Sequence, residues 1–302
     1  PVNHFCTITT VSHMYKTYAL ADSLSATGSN MLHVLVIDGN KNFTFKDCTF
    51  WDLADLKGIS IGEEIANKYK YEKDKLRWSM KPVFMKFLMQ QGISNKIIYL
   101  DNDLFFYFSS DFLFDLLDKH SFLLTPHYYK NNPKRDQNWF EANFRVGLYN
   151  AGFVGASAAS INTLQWWADC CAYRCEKSAI RGLFDDQKYL DLVPVLEETA
   201  YIIRHKGCNV AGWNTEVCRR EVVDGQVLID GKYPVVFIHF NDTAIREIVD
   251  GDDEVLMNYY RNYVGVLKKY KPDLKEEELV RPQRLSDKLK FVVWKVITEL
   301  GI

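Results

Sequence analysis

Apolar residues along the 302-residue chain recur at two periods, and the switches between them outline the elements. His4 to Val11 reads as a short β-branched strand, Tyr15 to Ala26 carries apolar positions at helical spacing, and Met31 to Asp38 is a second apolar strand. The second strand ends in an acid, followed by the turn signal Gly39-Asn40. Strand, helix and strand ending in Asp make half of a doubly wound nucleotide-binding unit. No GxGxxG follows the first strand, which disfavours a dinucleotide fold of the usual fingerprint.

The same pattern predicts a helix over Lys81 to Met89 with Pro82 in its first turn, where proline is tolerated. After the Gly92 stop comes a strand ending at Asp101. Ser121–His127, Gly147–Ala156 and Pro234–Phe240 read as further strands, and Ser160, a plausible cap, opens a helix that runs to Lys177. Residues 128–144 read as a long polar and aromatic loop of the kind that serves as a functional lid, and Glu254–Lys269 as another helix. No repeat or linker interrupts the chain before Lys271, so one α/β domain over residues 1–270 with a helical extension over residues 271–302 is expected.

Composition narrows the function classes. A net charge of -2 gives no reason to expect a nucleic acid partner. Seven cysteines, an odd number at irregular spacing, support neither a disulfide framework nor a zinc ribbon; reduced thiols in a cytoplasmic protein are the economical expectation. No apolar run approaches the roughly 20 residues of a membrane span, and no signal peptide is visible. The segment Leu285–Leu300 is amphipathic, with Phe291, Val292 and Trp294 among lysines. It suits packing on the core, with peripheral docking at the inner membrane face as the alternative.

One stretch carries candidate chemistry. In "KIIYLDNDLFFYF" an apolar run breaks into Asp101-Asn102-Asp103 and then resumes. Two carboxylates two residues apart on a strand share a face, and at its end they can hold Mg²⁺ or Mn²⁺ together with phosphate oxygens. Asp and Asn are also turn formers, so a surface turn stays open. His239, closing the apolar strand "VVFIHF", would suit the same cation as a third ligand.

The order of blocks "KP…YLDND…TPH…YNAGFVGA…WW…LFDDQ…NVAGWN…FIHFN" resembles the bacterial nucleotide-sugar glycosyltransferases of the GT-A fold. It is similar in plan to retaining enzymes of the glycogenin and lipooligosaccharide galactosyltransferase type. The resemblance implies a Rossmann-like mixed sheet flanked by helices, a nucleotide-sugar donor (a UDP-sugar), a glycan or lipid-linked acceptor, and Mn²⁺ or Mg²⁺. It implies Asp101, Asp103 and His239 as metal ligands. Thr7, Thr9, Asp38, Lys81, Asp101, Asn102, Asn150, Ala151 and Gly152 would then meet the donor. Asp186 and Gln187 match the pair at the sugar and its anomeric carbon, and Asp185 would serve as base were the reaction inverting. His127, Trp213 and Asn214 are placed at the acceptor. One departure is visible: no HxxGxxKPW signature follows, so its diphosphate-binding lysine is missing, with Arg246 as the candidate substitute. A nucleotidyltransferase and a non-catalytic sugar-binding module are the alternatives; the first should show a Gly-rich phosphate loop that "TITTVSHMYK" lacks.

Overall fold

The computed structural model describes residues 2–280. The opening unit forms as β1 (Asn3–Thr9), α1 (Met14–Thr27) and β2 (Asn30–Val36), followed by an edge strand, β3 (Cys48–Asp52). Next come α2 (Ser60–Lys68), α3 (Lys73–Gln90), β4 (Lys96–Leu100), β5 (Leu104–Phe106), α4 (Asp111–Leu117) and β6 (Phe122–Pro126). Then follow α5 (Gln137–Arg145), β7 (Tyr149–Ser157) and α6 (Ile161–Tyr173).

A two-stranded hairpin, β8 (Lys177–Ser178) with β9 (Leu183–Phe184), leads to short α7 (Val193–Leu196) and β10 (Ala200–Ile202). A small antiparallel sheet of β11 (Arg220–Val223), β12 (Gln226–Ile229) and β13 (Tyr233–Pro234) precedes β14 (Phe237–His239), α8 (Asp242–Asp250) and α9 (Met257–Tyr270).

The central sheet has seven strands in the order β10-β6-β7-β4-β1-β2-β3. It is mixed and mostly parallel, with β7 antiparallel to both its neighbours. The chain thus adopts the α/β domain that its pattern predicted, with the Rossmann-like mixed sheet flanked by helices that the resemblance implied. Successive residues of β4 bury on opposite faces, as a two-residue period requires. Ile97 and Tyr99 join the core under α2, α3 and α6, while Ile98 and Leu100 join the one under α1 and α4.

Two consequences of topology position the site. Because β7 runs against β4 and β6, its first residues lie at their carboxyl ends, with Tyr149 opposite Pro126 and Phe153 opposite Leu100. The strand order also reverses at β1, which has β2 on one side and β4 on the other; ligands of open α/β sheets bind in the crevice at such a point.

Two sequence expectations change. Helix α3 begins at Lys73, eight residues before the predicted start, so Pro82 lies inside it. Half of the expected loop over residues 128–144 is helix: the Asp136 carboxylate caps α5 by accepting from Trp139 N at 3.1 Å, and Trp139, Ala142 and Val146 pack with Tyr129, Ala211 and Trp213. Their spacing of three and four is the helical signal hidden among polar neighbours. The acid pair stands on a turn between two strands, at the end of the strand that was expected to close at Asp101. Beyond residue 270, Leu274 and Leu279 bury in the cluster of α9, and the segment Leu285–Leu300 lies outside the described residues. All seven cysteines are free, and no described helix is long and apolar enough to cross a membrane.

Candidate active site

Asp101, Asn102 and Asp103 form the turn between β4 and β5, and backbone pairing on both sides holds it. Asp101 N donates to Gly152 O on β7 at 2.7 Å, and Phe240 N donates to Asp103 O at 2.9 Å. Strand β14 pairs antiparallel with β5, so His239 stands opposite Leu104, one residue from Asp103. Sequence-distant residues meet because two short strands pair. One ligand atom each from Asp101, Asp103 and His239 lies within 4.8 Å of the others.

The set fits a divalent cation. The side-chain amide of Asn209 donates from Nδ2 to Thr125 Oγ1 at 3.3 Å, leaving its Oδ1 3.3 Å from His239 Nδ1. A carbonyl oxygen only accepts, so Nδ1 carries the proton and the Nε2 lone pair points to Asp103. Nε2 is 3.2 Å from Asp103 Oδ1, a buried oxygen with no hydrogen bond. Two electron-rich atoms facing each other, with a second carboxylate beside them, make a donor set that a hard cation closes. Gly152 completes the cradle: a Cβ there would stand 2.6 Å from His239 Cε1, 2.7 Å from Asn150 Oδ1 and 3.0 Å from Asp101 Oδ2.

Beside this cluster lies a buried ionic network. Lys81, only 2% exposed, reaches from α3 to Asp186 Oδ2 at 3.0 Å and Asp101 Oδ1 at 3.4 Å, and donates to Ala151 O at 3.0 Å. The Asp186 contact is an ion pair without hydrogen-bond alignment. Burial works against the lysine charge, yet Asp101 and Asp186 hold its pKa above the ordinary value. Burial likewise pushes Asp186 up to about 6 despite Lys81. Tyr99 OH donates to Asp101 Oδ1 at 2.8 Å, and Trp167 Nε1 donates to Asp186 O at 2.8 Å. Asp185 has a left-handed backbone (φ 49°), is buried, and turns to Lys177 at 3.5 Å.

The remaining residues fall into two groups. Gln187 accepts from Ala151 N at 3.1 Å and Asn150 Nδ2 at 3.2 Å, and donates to Val146 O at 3.2 Å, so its amide fixes the start of β7. Asn150 Oδ1 in turn accepts from Gly152 N at 3.0 Å, and its Nδ2 lies 3.3 Å from His127 Nε2. His127 is buried between Tyr129 and Trp213, with Nδ1 2.9 Å from Gly147 O; burial lowers its pKa to about 3. Trp213 stacks edge-on against both His127 and His239 and keeps a buried Nε1 without a partner. Asn214 is buried behind the site, tied to Asn209 O, Ala211 N and Arg220.

At the carboxyl end of β1, Thr9 Oγ1 accepts from Thr17 at 3.0 Å and Asn102 at 3.1 Å. Thr7 is fully buried with its hydroxyl unpartnered. Asp38 accepts from Val11 N at 2.8 Å and from Lys73 Nζ at 2.7 Å, pinning the loop after β1. Arg246 lines a groove with Val249, Tyr260, Lys268 and Leu274, apart from these residues. Sequence reasoning missed Tyr99, and it placed Asn209 only within the block "NVAGWN", without a role toward His239. The first was legible as the residue two before Asp101 on one strand; the second has only its tolerance of a left-handed backbone (φ 61°) as a signal.

No family model matches the chain. It is 25% identical over 256 residues to the uncharacterized protein YfnF of Bacillus subtilis (strain 168), covering 81% of this chain and 82% of that one. It is 28% identical over 249 residues to the uncharacterized YfnD of the same organism, covering 79% and 77%. Among solved structures it is similar to mouse xyloside xylosyltransferase 1 in its apo form, at 15% identity and a TM-score of 0.49, covering 81% of this chain and 99% of that one.

Proposed function

We propose that the protein is a divalent-metal-dependent glycosyltransferase of the GT-A type, moving a sugar from a UDP-sugar to a hydroxyl of a glycan or lipid-linked acceptor. One observation carries this: Asp101, Asp103 and His239 converge at the carboxyl ends of the strands, with Gly152 clearing the space between them. Metal ligands, a backbone segment of β7 and the buried Lys81–Asp186 pair then stand side by side in the crevice where α/β sheets take nucleotides. A cation held by Asp101, Asp103 and His239 would offset the negative charge gathering on the departing diphosphate.

The chain's own residues orient the donor. Gly152 lets the sugar approach the backbone of β7, and Gln187 and Asn150 hold that backbone in one conformation. Asp186 is positioned by Lys81 and by Trp167 to accept from sugar hydroxyls. With the Gln187 amide engaged by the protein and Asp185 turned to Lys177, no free carboxylate of this set is poised as an acceptor base. That favours retention, in which the leaving diphosphate takes the acceptor's proton.

Calorimetry with UDP tests the proposal. Binding should require Mn²⁺ or Mg²⁺, and Asp103→Ala should abolish it while circular dichroism stays unchanged. Tight binding without metal, or no binding to the wild-type chain, overturns it. Hydrolysis of a panel of nucleotide sugars would then identify the donor.

A further inference from the structure

Helix α3 presents a row of cations to the ends of the central strands. Lys73, Arg77 and Lys81 are spaced by four residues, so they share one helical face. The first is bound to Asp38, just past the end of β2, at 2.7 Å, and the last to Asp101, just past the end of β4, at 3.4 Å. Strand β1 lies between β2 and β4, which places Arg77 over the carboxyl end of β1, at the point where the strand order reverses. Burial is graded along the stripe: the side chains are 63%, 17% and 2% exposed. Both flanking lysines are clamped by strand-end acids. Among the described ion pairs Arg77 meets no strand-end acid; its partner is Asp74 of its own helix at 3.2 Å, a carboxylate that is 53% exposed. Helix α3 packs on both β1 and β4, and the Arg77 charge is near enough to act on Asp103, on His13 in the loop after β1, and on Lys81.

We infer that Arg77 is the diphosphate-binding residue of this chain, exchanging its exposed Asp74 contact for two phosphate oxygens in a bidentate bond. The inference rests on the proposed nucleotide site. Its position on a rigid helix, between two clamped lysines, holds the guanidinium ready without a loop having to close.

Titration calorimetry of Arg77→Gln and Arg77→Lys with UDP and with uridine, both in the presence of Mn²⁺, tests it. Arg77→Gln should weaken UDP binding on the order of ten- to a hundredfold, the range for a lost hydrogen-bonded charge pair, and leave uridine binding unchanged. Arg77→Lys, which keeps the charge and loses the fork, should fall between. If Arg77→Gln does not fold, an Arg77→Lys variant with wild-type preference for UDP over uridine overturns the inference. Wild-type binding of UDP that survives Arg77→Gln overturns this inference alone; a wild-type chain that binds no UDP overturns the nucleotide reading and this inference with it.

Discussion

Gly152 shows how much one absent side chain can decide. The three atoms that a Cβ would strike belong to His239, Asn150 and Asp101, and each is held by its own bonds: His239 by Asn209, Asn150 by Gln187, Asp101 by Tyr99. None is the free end of a flexible chain, so a methyl group cannot be absorbed by a rotamer change. Gly152→Ala should therefore cost about 1–3 kcal/mol in urea denaturation and remove metal-dependent UDP binding. Gly265, an exposed position in α9 with nothing within 4 Å of its added Cβ, is the matched control. Gly265→Ala should stabilise the protein by about 1 kcal/mol, the helix-propensity difference, and leave binding intact. Equal effects of the two substitutions would show that Gly152 is an ordinary strand glycine.

At the scale of elements, helix α3 shows what the pattern could and could not reveal. Its apolar half was legible from Val83, Phe84, Phe87 and Leu88, all buried between sheet and α6. Its polar half, Lys73 to Arg77, was not, because cations that cover the ends of strands look the same in sequence as cations in water. The usual penalty of an internal proline, about 3 kcal/mol, argues for a break at Pro82, and tertiary packing overrides it here. The cluster able to hold a cation was legible for a different reason: Asp101, Asp103 and His239 interrupt or close apolar strands, where unpaired polar groups are costly. Their partners Tyr99 and Asn209 interrupt nothing and left little trace. Lys81 sits where the two halves of α3 meet. Lys81→Met should cost about 3–5 kcal/mol, because Asp186 then lies buried without its cation. The double variant Lys81→Met/Asp186→Leu should recover much of that loss in the same denaturation assay. A double variant no more stable than the single one would show that packing of the lysine stem, and not the ion pair, holds α3 in place.

For the whole molecule, protons on buried groups link the fold to pH, and two sets of groups pull in opposite directions. His33 of β2, stacked on His4 of the neighbouring β1, and His127 in the site are buried and neutral; burial lowers them to about 4 and about 3. The unfolded chain binds their protons near the ordinary histidine value of about 6.5, so their contribution is complete above that pH and is lost as pH falls toward 4 and then 3. Asp186 and Glu247 behave in reverse. Burial raises them to about 6 and about 7, so the fold holds their protons more tightly than the unfolded chain does. Lowering the pH from 7 toward 4 therefore adds stability through these carboxyls while it removes stability through the histidines. The stability profile should be shallow over that window and fall steeply only below about pH 4, where paired surface carboxylates such as Asp136, Asp230 and Glu276 also take up protons. Single substitutions separate the two sets. The stability advantage of wild type over His33→Gln should shrink by on the order of 3 kcal/mol between pH 7 and pH 4, since each tenfold difference in proton affinity between the folded and unfolded chain is worth about 1.4 kcal/mol. Its advantage over Glu247→Gln should grow over the same interval, since the protonated carboxyl and the amide become alike in charge only at the acid end. Urea denaturation at pH 7, 5.5 and 4 measures both differences. Curves that stay parallel for both variants would mean that neither group changes its proton affinity on folding, and the shallow window would then need another cause.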